Sequence, residues 1–150
     1  MVILTNNEIL YITNQWSKIP KDKICLLAAE FGFLDLLEWG IKFINPQTYG
    51  IAAQNGQIAI LKFLRLLNPD FCDNGWASSG AAAYGDIQLL EWLYGEKFEF
   101  NVITCANFKN LQVLKWCRKH NVEWDSQTFA QAARIPDVEM LQYLKEEKCY

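Results

Sequence analysis

The chain has 150 residues, 51% hydrophobic and 21% charged, a balance that suits one folded domain and excludes a disordered or low-complexity segment. With 17 acidic against 14 basic residues its net charge is -3, so it lacks the basic excess that a nucleic-acid backbone or an anionic membrane surface demands. The five cysteines, Cys25, Cys72, Cys105, Cys117 and Cys149, form no C-x-x-C pair and have His120 as their sole histidine companion. That pattern offers no metal-ligand set and reads as reduced thiols in a cytoplasmic protein.

The opening stretch MVILTNNEIL carries no basic residue ahead of its short apolar run. No apolar segment approaches the ~20 residues of a spanning helix, so neither secretion nor membrane insertion is expected. Thr5 and Glu8 form a T-x-x-E capping box, followed by Ile9, Leu10, Ile12 and Trp16 at helical spacing up to Pro20. The expectation is an N-terminal capping helix over residues 1–22 that shields the first unit of a stack.

One unit then recurs: AAEFGFLDLLEW from Ala28, AAQNGQIAILKF from Ala52, AAAYGDIQLLEW from Ala81, CANFKNLQVLKW from Cys105 and AARIPDVEMLQY from Ala132. Its turn falls at Gly32, Gly56, Gly85, Lys109 and Pro136, at offsets of 24, 29, 24 and 27 residues. Ala29, Ala53, Ala82, Ala106 and Ala133 stand three places before the turn, each behind another small residue, so a neighbouring helix can approach closely there. Aliphatic residues occupy the second, fourth and fifth places after the turn, and the seventh is Trp39, Phe63, Trp92, Trp116 or Tyr143. Such an arc is wider than the roughly 100° stripe of a surface helix and implies neighbours on two sides. The sixth place is always polar, from Glu38 to Gln142, and marks solvent.

Each unit therefore reads as a short helix, a tight turn and a longer helix. Glycine suits a left-handed helix end, and Asp86, Asn110 and Asp137 can cap the helix that follows. Thr48, Asn101 and Thr128 are the expected N-caps of the first helices, limiting those to about two turns, with Pro46 and Pro69 in loops. Lys109 and Pro136 predict altered turns, because proline cannot take positive φ. The boundaries are about 23–45, 46–71, 72–100, 101–124 and 125–150.

The order small, small, two variable residues, glycine, aliphatic, leucine resembles the core of ankyrin repeats, and the recurring Trp or Phe looks most like ankyrin-like arrays of giant DNA viruses of amoebae. The resemblance spans residues 23–150 and implies an all-α solenoid of five ankyrin-like helix-turn-helix repeats. The T-P-L-H tetrapeptide is absent, Tyr49-Gly50 and Ser78-Ser79 standing in its place. A period short of 33 residues implies hairpin loops cut short. Tetratricopeptide arrays fit less well, because the first helix is short and the period misses 34.

No nucleophile, base and acid recur together, and no phosphate-cradling loop is present, so neither enzyme activity nor a cofactor is expected. His120, beside Arg118 and Lys119, reads as a surface residue at a helix C-terminus. Cys105 and Cys117 read as core thiols. The resemblance directs partner binding to the concave face, where the two places before each turn lie: Glu30 and Phe31, Gln54 and Asn55, Ala83 and Tyr84, Asn107 and Phe108, Arg134 and Ile135. Their aromatics read equally as interface anchors or as packing between repeats. Trp76 adds a second contact in the longest inter-unit loop, against core packing. The implied function is a protein-binding module in the cytoplasm, the host's if the protein is viral. Two alternatives are a structural part that self-associates through its last repeat, as in a virus particle, and a ubiquitin-ligase adaptor. For the adaptor, LTNNEIL resembles an F-box start, but too few residues precede the first repeat.

Overall fold

The computed structural model describes residues 19–69, 73–100, 111–122, 126, 130, 134 and 137–147. The lead-in helix and the calls on Cys72, Asn101, Cys105, Ala106, Asn107, Phe108, Lys109, Asn110, Thr128, Ala133, Ile135, Pro136 and Cys149 lie outside the described residues.

Among the described residues all regular structure is helical: α1 (Lys21–Phe31), α2 (Leu34–Trp39), a 3-10 turn (Ile41–Phe43), α3 (Pro46–Gln54), α4 (Ile58–Leu67), α5 (Trp76–Tyr84), α6 (Ile87–Gly95), α7 (Leu111–Lys119) and α8 (Val138–Glu146). Helices α1 and α2, α3 and α4, and α5 and α6 form pairs across tight turns, each pair in mutual contact. The first members pack in a row, α1 on α3 and α3 on α5, and the last of these is the most extensive helix contact.

The turns follow from the recurring residues. Gly32, Gly56 and Gly85 take φ of 79°, 67° and 86°, the left-handed conformation that a Cβ opposes. The carbonyl four or five residues back satisfies the turn: Ala28 accepts from Gly32 N at 2.9 Å, Ala52 from Gln57 N at 2.8 Å and Ala81 from Gly85 N at 2.8 Å. Asp86 then caps α6 by accepting from Gln88 N (2.8 Å) and Leu89 N (3.2 Å), and Asp137 caps α8 by accepting from Met140 N at 3.2 Å.

The start of α3 differs from the sequence expectation. Asn45, not Thr48, is the N-cap; its side chain accepts from Thr48 N at 3.2 Å while Thr48 Oγ1 accepts from Asn45 N at 3.3 Å. Pro46 is the first helical residue rather than a loop residue, where its missing N–H costs nothing. The helix so gained has nine residues, against ten in α4. In the first pair α1 has eleven residues and α2 six, because Gly40 ends α2 against the buried Cys25 thiol, which donates to the Gly40 carbonyl at 3.2 Å. The anticipated short-then-long pairing therefore does not hold.

Side chains four, five and eight places past the turns supply most of the core, with Gly40 at the eighth place of the first unit and a half-buried Leu141 at the fifth place of the last as exceptions. Leu37, Leu61, Leu90 and Leu114 are fully buried, as are Ile60, Leu89, Val113 and Met140, and Leu93, Cys117 and Leu144. The place two past the turn is less uniform than expected: Leu111 is buried, but Ile58 and Val138 are exposed. Glu38, Lys62, Glu91, Lys115 and Gln142 all face solvent. Among the tryptophans, Trp116 is buried and Trp92 half-buried against Phe98, whereas Trp39 is exposed beneath the Lys21 ammonium.

Two buried polar residues tie α5 to its surroundings. Ser78 Oγ donates to Gly75 O and Glu99 O, and Asp73 accepts from Ala77 N at 2.6 Å. Burial raises the Asp73 carboxyl above the ordinary aspartate range, with Glu99 adding to the effect and the backbone N–H groups of Ala77 and Gly75 opposing it. A carboxyl raised on folding stabilises most below its unfolded value, and that contribution is lost as pH rises through the folded one. Asp73→Asn, which keeps the acceptor and removes the buried charge, should therefore be more stable than the parent at pH 7, with the gap closing in acid. Asp73→Ala should lose about 1 kcal/mol of helix start. Urea denaturation at neutral and acidic pH measures both.

Candidate functional site

Helices α3 and α5 touch backbone to backbone. A Cβ built on Gly80 would overlap the Gly50 carbonyl oxygen and lie 3.0 Å from Gln54 N and 3.1 Å from Ala53 Cβ; one on Gly50 would lie 3.1 Å from Trp76. Because glycines meet at the crossing, the larger side chains beside it diverge toward the surface. A shallow cleft of about 270 Å³ opens there. On the α3 side it is lined by Gln47, Ile51 and Gln54 and on the α5 side by Trp76, Ser79 and Ala83, both sets at helical spacing. Small pockets for cofactors begin at about 300 Å³ and enclose most of their ligand. This cleft is smaller and open.

Gln54, Trp76 and Ala83, selected from sequence for different reasons, thus converge on one cleft. Trp76 is the first residue of α5 rather than part of a loop, and 47% of it is exposed. Gln47, Ile51, Ser79 and the two glycines were not anticipated. Their signal was present in the matching i, i+4, i+7 and i, i+3, i+7 registers of two helices that the repeat makes neighbours.

The remaining candidates lie at the turns. Phe31 is 59% exposed and pairs with Phe33, ring centroids 6.1 Å apart. The exposed Glu30 presents its backbone carbonyl to Gln57 Nε2, which donates at 3.1 Å. Tyr84 covers the Gly56 turn of the preceding unit and leaves 46% of itself exposed, so it packs between units and faces solvent together. Asn55 turns back on its own helix, its Nδ2 donating to Ile51 O at 2.9 Å. Arg134 is exposed; Asn107, Phe108 and Ile135 lie outside the described residues.

His120 departs from its surface reading. It is half-buried, stacked on Trp116 at 4.3 Å and set against Tyr94 at 4.4 Å, with Nε2 3.3 Å from Glu91 Oε1. The indole N–H of Trp116, then His120 and Lys119, hold the Glu91 carboxyl below the ordinary glutamate range. The cluster joins α6 to α7 through aromatic packing.

Among the described residues no group of three His, Cys, Asp or Glu side chains could hold a metal ion, and no helix is long and apolar enough to cross a membrane. No protein-family profile, curated protein or solved structure matches the chain.

Proposed function

We propose that the chain is an ankyrin-like solenoid that acts as a non-catalytic protein-interaction module, engaging its partner through the face of the first helices. The observation that carries this reading is the open cleft between α3 and α5, bordered by an exposed tryptophan and lying on the same helix row as Phe31 and Tyr84. A stack of this kind separates two duties. Leucines and alanines common to every unit hold the scaffold, while Glu30, Phe31, Gln54, Ala83 and Tyr84 vary in chemistry on an otherwise uniform surface. Exposed aromatics among polar groups suit an interface, and a rigid scaffold loses little entropy on binding.

Site-specific photo-crosslinking tests the reading. A photoreactive side chain at Gln54 or Ala83 should trap one and the same partner protein, and a probe at Lys62, exposed on α4 and not among the residues that line the cleft, should not. Adducts formed equally well from Lys62 would rule out the first-helix face. Adducts made only of two copies of this chain would replace the binding-module reading with self-association.

A further inference from the structure

Lys21, the first residue of α1, extends its ammonium over two rings at once: Nζ lies 5.3 Å from the Trp39 ring centroid and 5.2 Å from that of Phe43. Both distances are inside the ~6 Å reach of a cation–π attraction, in which the negative face of a ring draws a positive charge. All three residues are exposed, and none is among those that line the α3–α5 cleft. The two rings belong to one short stretch of backbone whose position is fixed. Trp39 ends α2 and Phe43 ends the 3-10 turn, and the Gly40 carbonyl between them accepts from the Cys25 thiol at 3.2 Å and from Phe43 N at 2.8 Å. A Cβ on Gly40 would overlap the Cys25 sulfur, so this stretch sits hard against α1. Backbone packing thus sets the walls, whereas their occupant is the end of a flexible four-carbon stem.

We propose that Trp39 and Phe43 form a binding site for a quaternary ammonium group, closed in the free protein by Lys21 as a built-in competitor. The ammonium already held by both rings fixes the sign of charge that the site takes. The tether of Lys21 selects the rest. Lys21 presents its charge at a local concentration on the order of mM, so a primary ammonium arriving from solution, identical in chemistry, gains nothing by replacing it. A methylated ammonium does gain. The primary ammonium is strongly hydrated through its N–H donors; methyl groups remove those donors and add apolar contact with the rings. A neutral or anionic group would expel a favourably placed charge without supplying another. The quaternary group is common to a free small cation such as choline and to a trimethylated lysine of another protein.

The test uses the intact chain and tetramethylammonium chloride, with sodium chloride at equal ionic strength as the blank, followed through indole N–H resonances by proton–nitrogen correlation NMR. The Trp39 signal, identified by its loss in Trp39→Leu, should shift in a saturable manner while that of Trp76 stays in place. Lys21→Ala, an exposed change at a helix start, should tighten binding about fivefold, since the site is then open all of the time. Phe43→Leu should weaken it by a similar factor. A gain of affinity on deleting a lysine is a result that damaged folding cannot produce. No shift of Trp39 beyond the blank, an affinity unchanged in Lys21→Ala, or an equal response to arginine amide would overturn the proposal. With the site established, the tighter binder of choline and a trimethyllysine peptide names the source of the group.

Discussion

Gly80→Ala is expected to destabilise the protein by about 2 to 3 kcal/mol, although alanine is the better helix former by about 1 kcal/mol. The added methyl overlaps the Gly50 carbonyl and crowds Gln54 N and Ala53 Cβ, and two of these three obstacles are backbone. A side chain can rotate away, but a helix backbone can yield only by moving as a body, which opens the contact between α3 and α5 along its length. Thermal unfolding should show a midpoint lowered by roughly 5 to 10 °C. Gly95→Ala is the control: it lies at the end of α6 with nothing within 4 Å of the new methyl. It should leave the midpoint unchanged or raise it slightly, and an equal loss in both variants would show that the crossing is not the cause.

Leu90→Ala should cost about 3 kcal/mol, within the 2 to 5 kcal/mol range for large-to-small changes at closed sites. Leu90 is fully buried, and Leu37, Leu61 and Leu114 hold the same place in three other units with no exposure either, while Leu141 in the last unit is half-buried. The helix that carries Leu90 is capped by Asp86 at its start, so the surroundings cannot easily collapse into the void. Leu66, at 81% exposure on α4, provides the comparison. Leu66→Ala should change urea stability by less than about 0.5 kcal/mol. Similar losses at both sites would mean that the recurring leucine is not the centre of the core.

Local signals in the sequence anticipated most of the helix pairs. The three glycine turns, the caps at Asp86 and Asp137 and the solvent side from Glu38 to Gln142 each depend on residues within one or two turns of each other, so a repeated string reveals them. Thr48 misled because two capping residues stand three apart, and the choice fell to Asn45 once Pro46 supplied the fixed φ of a first helical turn. His120 misled for another reason. Its basic neighbours suggested a solvated helix end, but Tyr94 and Glu91, which enclose it, come from the preceding helix pair.

The candidate site was legible only in fragments. Gln54 and Ala83 were found by counting from the turn and Trp76 by its departure from the repeat, but nothing local linked the three. The chain by itself determined the all-helical class, the placing of the turns and the leucine positions, because capping, glycine conformation and hydrophobic period act over a few residues. The cleft was decided by tertiary structure alone. Gly50 and Gly80 are thirty residues apart in sequence, and only when their helices cross do two missing side chains become one close contact with a hollow beside it.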